Sequence, residues 1–533
     1  DFSPAMVDYF RKWLRERYQT DAALQRAWDN PAVTFDTATV PTLEERCPPD
    51  GLNLLDPTVN RQAVDFYTCQ GDGQYRNWTT LLGAAKKACG GRALIGTYGS
   101  YVQVAGWSPN YWGSDGPGGA YEGRKQKYKG SPDDELNPHL LAGQFTWSRI
   151  LDHPAVDFLA SPYDYYYRKW GASLINQGLG ESAELRGKLF IINEDTRTHL
   201  HGSTHYSGAD SPAETTALYR RNFAAIHTTC SGCNWMEQAS NWLIDDGVLA
   251  ELEQYNKNQQ QGIHWADYPA REDMLCAIID EEALKYEAPF TDVDFENIYK
   301  TRIYGLSHCG VPLRVHALRD LELDNFPRYK AYYFLNPWHM TPEKLALIRK
   351  KVLRDGNVAI WQYAPGYVTE QGFSLESMEE LTGIRFKVDP MRWEHLITVF
   401  NWQHPLTRDL PADCHYGTER RYGPAFIVDD PAATALGWLL LAQGRHEVGL
   451  AVKELGRGAR GNGGGKRGVG DYASVFSEAP LLPAELIRSI ARYAGCHVFN
   501  EQNDVLYAGS GILAVHAAKP GTRHLRLPRA SGV

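Results

Sequence analysis

The feature that most constrains the fold of this chain is the alternation of short apolar segments with helical segments over its first half. Strands are predicted at 93–99, 156–160, 189–192 and 231–238, and helices at 78–89, 138–151 and 213–227. This order predicts a parallel α/β sheet with right-handed crossovers. Four such units with long polar loops favour half of a (β/α)8 TIM barrel over an open doubly wound sheet. No G-x-G-x-x-G motif follows these strands, which argues against a dinucleotide-binding fold.

The chain opens on two predicted helices rather than on a strand. Ser3 is a suitable N-cap and Pro4 fits the first helical position, while Thr20 or Asp21 caps a second helix over 21–28. A domain seldom begins with a packed amphipathic helix. We therefore expect the numbered chain to begin partway through a larger fold.

A second α/β region is predicted from residue 268 onward. Strand candidates at 274–284, 315–321, 329–336 and 357–366 alternate with helices at about 294–306, 341–355 and 374–382. This order predicts a flavodoxin-like open sheet, as in class I amidotransferases. The nucleophile of those enzymes needs a G-x-C-x-G elbow, and the sequence before Cys309 lacks the first glycine, so we expect this domain not to be catalytic.

Three parts are therefore expected: a barrel portion over 1–267, a flavodoxin-like domain over 268–505, and a β-rich segment over 506–533 that starts a possible C-terminal domain. The glycine-rich segment 456–470 lacks the Ser or Thr of a phosphate loop and no helix follows it. We expect it to be a flexible surface loop.

Composition and charge argue against several classes of protein. The formal net charge is −9 and no basic face is evident, so a nucleic-acid partner is not expected. The longest apolar run, around 436–441, is too short to cross a membrane, and no basic segment of a signal peptide opens the chain. The nine cysteines are scattered, and no second C-x-x-C follows Cys230 and Cys233, so neither a disulfide framework nor a zinc site is predicted.

Charged and polar side chains follow the buried strand at 189–192: Asn193, Glu194, Asp195, Arg197 and His199. Barrel enzymes place catalytic groups at such strand ends, and retaining glycoside hydrolysis needs an ionised carboxylate with donors or a cation nearby. Because strand side chains alternate, Glu194 points with Ile192 and Asp195 points away. We favour Glu194 as the carboxylate that faces the barrel axis. A structural Asp–Arg pair that closes the loop is the alternative, and the two can coexist.

Aromatic residues near the other strand ends are candidates for binding sugar. Glu237 ends the next strand between Trp235 and Trp242, an arrangement suited to sugar hydroxyls and to the apolar face of a pyranose. A solvated loop glutamate is the alternative. Earlier strands end in further candidates, some of which must belong to the core: Tyr98, Tyr101, Tyr163, Tyr165 and Arg168.

Two segments resemble a known family. FRKWLRERYQTDAALQRAW, residues 10–28, is similar to the helix after the acid/base strand in the β-galactosidases of glycoside hydrolase family 42 and their relatives. YKAYYFLNPWHMTPEKLALIRKKVLRDGNVAIWQYAPGY, residues 329–367, is similar to the trimerisation domain of those enzymes. The resemblance covers most of the chain in order and is nearest to uncharacterised relatives.

The resemblance implies a retaining clan-A barrel of which these strands are the fifth to eighth. Glu194 would match the nucleophile at the end of the seventh strand, and Glu237 a sugar-binding glutamate on the eighth. The family's nucleophile also occurs in a Met-Glu-Gln context, which Met236-Glu237-Gln238 repeats, so Glu237 is the second candidate. The acid/base glutamate of the family follows an Asn on the fourth strand, and we expect it upstream of Asp1.

We therefore predict a retaining exo-glycoside hydrolase that acts on β-linked galactosides by double displacement. A β-mannosidase on the same scaffold and a non-catalytic carbohydrate-binding or assembly protein are the alternatives. The expected partners are an oligo- or polysaccharide substrate and two further copies in a homotrimer. No metal or organic cofactor is implied, because no group of residues has ligand spacing. No cellular compartment is predicted.

Overall fold

The computed structural model describes residues 2–104, 143, 145–164, 168–201, 208–229, 231–237, 241–260, 271–289, 291, 293–456, 469–509 and 511–528. The α-helices are α1 Pro4–Tyr18, α2 Asp21–Ala27, α3 Arg61–Ala88, α4 Trp147–Asp152, α5 Gly180–Leu185, α6 Pro212–Thr228, α7 Asp246–Gln260, α8 Thr301–Tyr304, α9 Pro342–Lys351, α10 Leu375–Thr382 and α11 Ala484–Ala494. A π-helical turn, Phe295–Lys300, leads into α8.

The strands are β1 Gly96–Tyr98, β2 Phe158–Pro162, β3 Leu189–Glu194, β4 Gly232–Trp235, β5 Leu275–Ile279, β6 Leu313–Ala317, β7 Ala331–Phe334, β8 Asn357–Gln362, β9 Val368–Thr369, β10 Gly372–Phe373, β11 Phe386–Asp389, β12 Trp393–Val399, β13 His415–Tyr422, β14 Ala425–Val428, β15 Thr434–Leu440, β16 His446–Leu455, β17 Tyr472–Ser477, β18 Val505–Gly509 and β19 Ile512–His516. The predicted α/β class with parallel sheets is confirmed.

The first sheet consists of β1 to β4, which pair in parallel and in chain order. Each new strand is added at the same edge, whereas a doubly wound sheet grows outward from both sides of its first strand. The pairing aligns Pro162 with Asn193 and Glu194 with Trp235. The C-terminal ends of β2, β3 and β4 therefore lie next to one another.

The two faces of this sheet differ in burial. On β3, Phe190, Ile192 and Glu194 are buried, whereas Leu189 on the opposite face is 45% exposed and Asn193 is half-buried. Strands of parallel sheets are ordinarily apolar and covered on both faces. On β3, the face that carries Glu194 is therefore the buried one.

The helices at the start of the chain form as their caps predict. Ser3 Oγ accepts a hydrogen bond from the backbone N–H of Met6, and Thr20 Oγ1 accepts one from Ala23. Helix α3 is longer than the predicted 78–89 and passes through three glycines, two of which lie in close contacts. An added Cβ at Gly71 would lie 3.1 Å from Thr146, and one at Gly73 would lie 3.2 Å from the Tyr9 ring. These glycines allow close packing rather than ending the helix.

The second sheet has nine strands in the order β13-β12-β15-β16-β17-β8-β7-β5-β6. Strands β5, β6, β7, β8 and β17 are parallel, and their order is the 2-1-3-4-5 order of flavodoxin-like sheets. The other four strands extend the sheet in antiparallel fashion. The sequence interpretation did not identify this extension. Of the segment 456–470, residues 457–468 lie outside the described residues.

A buried glutamate links the end of β5 to the start of α4. Glu281 follows β5, and its carboxylate accepts hydrogen bonds from the backbone N–H of Ser148 at 2.9 Å and of Trp147 at 3.1 Å, at the start of α4. It also accepts a hydrogen bond from the Ser148 hydroxyl. Burial raises the pKa of Glu281 from 4.5 to about 7.

This raised pKa predicts a pH dependence of stability. Between the unfolded and folded pKa values the native chain binds the extra proton, so the contribution of Glu281 to stability is largest below about pH 4.5 and is lost as the pH rises through about 7. In the wild type, Glu281 should lower the unfolding free energy by about 3 kcal/mol between these two pH values, and we expect Glu281→Gln to lack this decrease. Urea unfolding at both pH values measures the difference. The exposed control Glu44→Gln should keep the wild-type slope, and an unchanged slope in Glu281→Gln would contradict the assignment.

Candidate functional site

The candidate site lies at the C-terminal ends of β3 and β4. The Glu194 carbonyl accepts a hydrogen bond from the backbone N–H of Met236 at 2.9 Å, which continues the strand pairing beyond Trp235. Glu194 and the segment that carries Glu237 are therefore neighbours, as the sequence interpretation expected. Residues 202–207 and 238–240, which belong to the connections after β3 and β4, lie outside the described residues.

The Glu194 carboxylate is held at both oxygens. Oε1 accepts a hydrogen bond from the backbone N–H of Thr196 at 2.8 Å, and Oε2 accepts one from Nδ2 of Asn222 at 3.0 Å. The residue is only 2% exposed. Burial raises the pKa of Glu194, and the nearby positive charge of Arg168 and the hydrogen bonds from Thr196 act in the opposite direction.

The alternation along β3 is as expected, since Glu194 lies on the same face as Ile192 and on the face opposite to the exposed Leu189. Asn222 of α6 reaches Glu194 on this buried face. The orientation of Glu194 towards a barrel axis and its role as nucleophile stay predictions.

Asp195 forms a fully buried ion pair with Arg168. Nη1 of Arg168 donates to Oδ1 of Asp195, and neither side chain is exposed. The same guanidinium donates from Nε to the Asp164 carbonyl and from Nη2 to the Tyr163 carbonyl, each at 2.8 Å. This pair is the loop-closing contact that the sequence left open as an alternative. It binds the end of β2 to the end of β3.

Arg197 and Trp242 contact each other. The guanidinium carbon of Arg197 lies 5.3 Å from the centre of the Trp242 ring, a distance suited to a cation–π contact. Trp242 is only 1% exposed, and its carbonyl accepts a hydrogen bond from the Thr198 hydroxyl. The Trp242 ring therefore packs against the Arg197 guanidinium and has no exposed face for a sugar.

Glu237 and Trp235 lie beside this pair. Glu237 is half-buried, and its Oε2 accepts a hydrogen bond from the Leu243 backbone N–H at 3.3 Å. The Trp235 ring stacks on Tyr255 at 5.9 Å. Glu237 is thus the more accessible of the two candidate glutamates and the less firmly held.

The tyrosines fall in different surroundings. Tyr98, at the end of β1, is 43% exposed, and Tyr101 is half-buried. Tyr163 is buried, and its side chain lines an internal cavity of about 70 Å³ together with Glu181, Arg302 and other residues. Tyr165 lies outside the described residues. Of these rings, only Tyr98 is open enough to meet a ligand in the described structure.

Three residues of this site were missed by the sequence interpretation: Thr196, Arg221 and Asn222. Both α6 residues are buried. The sequence did contain a signal for Asn222: it lies four residues after Leu218 and three before Ala225, within the apolar stripe of the helix. A polar residue in such a stripe predicts a buried hydrogen-bond partner.

Among the described residues, no group of three or more His, Cys, Asp or Glu is arranged to hold a metal ion. Among the helices of the described chain, none combines the length and the apolar character that crossing a membrane requires.

Solved structures with a similar fold are β-galactosidases. The enzyme from Bacillus circulans sp. alkalophilus matches with a TM-score of 0.58 and 14% identity, over 95% of this chain and 69% of that one. The cold-adapted enzyme from Rahnella sp. R3 matches with a TM-score of 0.58 and 14% identity, over 94% and 68%. Gan42B, a family 42 β-galactosidase from G. stearothermophilus, matches with a TM-score of 0.52 and 12% identity, over 94% and 68%.

The chain has the fold of these β-galactosidases. No protein-family model matches the sequence, and no curated protein matches it either. At identities of 12–14% the likeness shows the fold alone. The expected relationship in fold is confirmed.

The buried ion pair predicts a large loss of stability on substitution. Arg168→Met leaves the Asp195 carboxylate buried without its cation, which costs about 3–5 kcal/mol of unfolding free energy. Asp195→Asn in the Arg168→Met background should recover part of this loss, because an amide is cheaper to bury than a charge. Urea unfolding of the single and double variants measures both effects.

The matched control is the exposed pair of Lys257 and Glu253, whose side chains are 57% and 65% exposed. Lys257→Met should leave the urea midpoint unchanged. An Arg168→Met variant as stable as the wild type would show that the pair contributes nothing.

Proposed function

We propose that the chain is part of a retaining glycoside hydrolase that acts from the chain end of β-linked galactosides, with Glu194 as the nucleophile. The observation that carries the proposal is a buried carboxylate, held by two donors, at the C-terminal end of a parallel strand in a β-galactosidase fold. In barrel enzymes this end of the strands carries the catalytic groups.

The proposed chemistry is a double displacement. The Glu194 carboxylate attacks the anomeric carbon as the bond to the leaving oxygen breaks and a general acid protonates that oxygen. Water, which gives a proton back to the same acid/base group, then hydrolyses the glycosyl-enzyme ester. The bonds from Thr196 and Asn222 favour the ionised carboxylate that attack requires. The glycone would be bound by exposed or half-buried groups near the strand ends: Tyr98, Arg197, Trp235 and Glu237.

A second candidate for the nucleophile is Glu237. It is half-buried and makes one long hydrogen bond to the Leu243 backbone, so it is easier for a substrate to reach than Glu194. Among the described residues, it also has fewer hydrogen bonds than Glu194 to fix its orientation and to stabilise its charge. Preorganisation favours Glu194, and accessibility favours Glu237.

The arrangement of domains belongs to the same proposal. Strands β1 to β4 would be the fifth to eighth strands of a (β/α)8 barrel over residues 1–267. The nine-stranded sheet would be a flavodoxin-like trimerisation domain over 268–505. Strands β18 and β19 would belong to the segment 506–533. Their contacts favour packing with the barrel portion, because the Tyr507 hydroxyl accepts a hydrogen bond from the Leu174 backbone N–H at 2.7 Å.

The test is covalent trapping with 2-deoxy-2-fluoro galactosides that carry a dinitrophenolate leaving group, followed by intact mass and peptide mapping. This leaving group departs without protonation, so the experiment asks only whether the nucleophile works. We expect one galactosyl label on Glu194, no label on Glu194→Gln, and full labelling of the exposed helix control Glu253→Gln.

Other outcomes decide between the alternatives. A label on Glu237 would transfer the role to that residue, and a label from the mannosyl reagent alone would change the sugar. Sugar binding without a label from either reagent would favour a non-catalytic carbohydrate-binding protein.

A further inference from the structure

The Glu194 carboxylate depends on a residue of α6 that has no assigned role. We propose that Asn222 is a positioning residue for Glu194 and that Arg221 fixes the orientation of the Asn222 amide. The inference deepens the proposed function and rests on Glu194 being the nucleophile. Asn222 acts through Glu194 and is not proposed to touch the substrate.

The orientation of the Asn222 amide is set by its neighbour. Nε and Nη2 of Arg221 donate to Oδ1 of Asn222 at 3.0 and 2.9 Å. Because a guanidinium can only donate, the atom that it contacts must be the amide oxygen. The amide nitrogen is therefore directed to the other side, where it donates to Oε2 of Glu194 and to Oγ1 of Thr196, each at 3.0 Å.

Arg221 is itself held by backbone carbonyls. Nη1 donates to the Lys169 carbonyl at 2.9 Å and to the Ala172 carbonyl at 2.8 Å, and Nη2 donates to the Arg168 carbonyl at 2.8 Å. The side chain is buried. Arg221 thus anchors Asn222 to the segment after β2, which also supplies Arg168 to Asp195. One continuous set of contacts fixes both adjacent carboxylates.

The arrangement has a chemical consequence for Glu194. One N–H bond reaches each carboxylate oxygen, from Thr196 to Oε1 and from Asn222 to Oε2. Each oxygen can accept more than one hydrogen bond, so lone pairs remain for attack while the plane of the carboxylate is fixed. Hydrogen bonds to the charged form also favour ionisation against the effect of burial.

The charged and titratable groups around Glu194 come from each element packed against it. They are Asp195 on its own segment, Tyr163 and Arg168 at the end of β2, Cys233 on β4, and Tyr219 and Arg221 on α6. Arg168 and Arg221 are the cations of this group. Asn222 is uncharged, so replacing its donor isolates one hydrogen bond without removing a cation.

Asn222→Asp is the most informative variant. The aspartate keeps an oxygen for Arg221 to contact, and it replaces the donor to Glu194 by a second acceptor. Two carboxylates at this distance cannot both ionise readily, so the pKa of the pair rises. Asn222→Ala removes the donor without adding charge. The matched control is Asn256→Ala on the exposed surface of α7.

The readout is the acidic limb of kcat/KM against pH for a dinitrophenyl β-galactoside, since its leaving group needs no acid. We expect the limb to move up by about one pH unit in Asn222→Ala and by about two or more in Asn222→Asp. Asn256→Ala should keep the wild-type limb. A merely structural role would lower the rate and leave the limb in place.

Trapping on the same samples separates the two claims. If the wild type is labelled at Glu194 and the limb does not move in either variant, Asn222 has no positioning role and the proposed function stands. If the wild type is not labelled at Glu194, the proposed function fails and this inference fails with it.

Discussion

The structure around β3 depends on burying two consecutive carboxylates. A buried charge is costly unless it is paired and hydrogen-bonded. Asp195 is neutralised by Arg168, and Glu194 is bound by Asn222 and Thr196. Because consecutive strand residues point to opposite sides, the two carboxylates need separate partners. The segment after β2 serves both through Arg168 and, by way of its backbone carbonyls, Arg221.

This constraint explains why the strand ends are joined by side chains as well as by the sheet. Arg168 contacts the carbonyls of Tyr163 and Asp164, and Arg221 contacts those of Lys169 and Ala172. Each guanidinium uses several donors at once, which an ammonium group could not match in a fixed plane. The carboxylates are therefore preorganised by groups that are themselves fixed.

Helix caps were predictable from the sequence, and the burial of strand faces was not. The caps at Ser3 and Thr20 depend on neighbouring residues, and the structure has them as predicted. The strand predicted at 189–192 forms, but it is buried on one face only, since Leu189 is 45% exposed. The burial of a strand face depends on what packs against it, which an apolar run alone does not specify.

Tertiary packing explains the differences between the predicted and the observed surroundings of the aromatic residues. The sequence made Trp242 and Tyr163 candidates for binding sugar, but both side chains are buried. The antiparallel strands escaped notice because strands such as β13, HYGTERRY, carry charged residues and lack a continuous apolar run. No pattern of charges in the sequence marked Asn222 and Arg221 as site residues. Only their position in the apolar stripe of α6 indicated that they are buried.

The most direct test of Glu194 as the reacting carboxylate is a crystal structure of the chain with a galactose-configured iminosugar. The protonated ring nitrogen of that compound mimics the charge that develops at the anomeric centre in the transition state. The account predicts the ring nitrogen at about 3 Å from a Glu194 carboxylate oxygen, with the contacts of Asn222 and Thr196 kept. An iminosugar whose ring nitrogen lies against Glu237, with Glu194 out of reach, would contradict it.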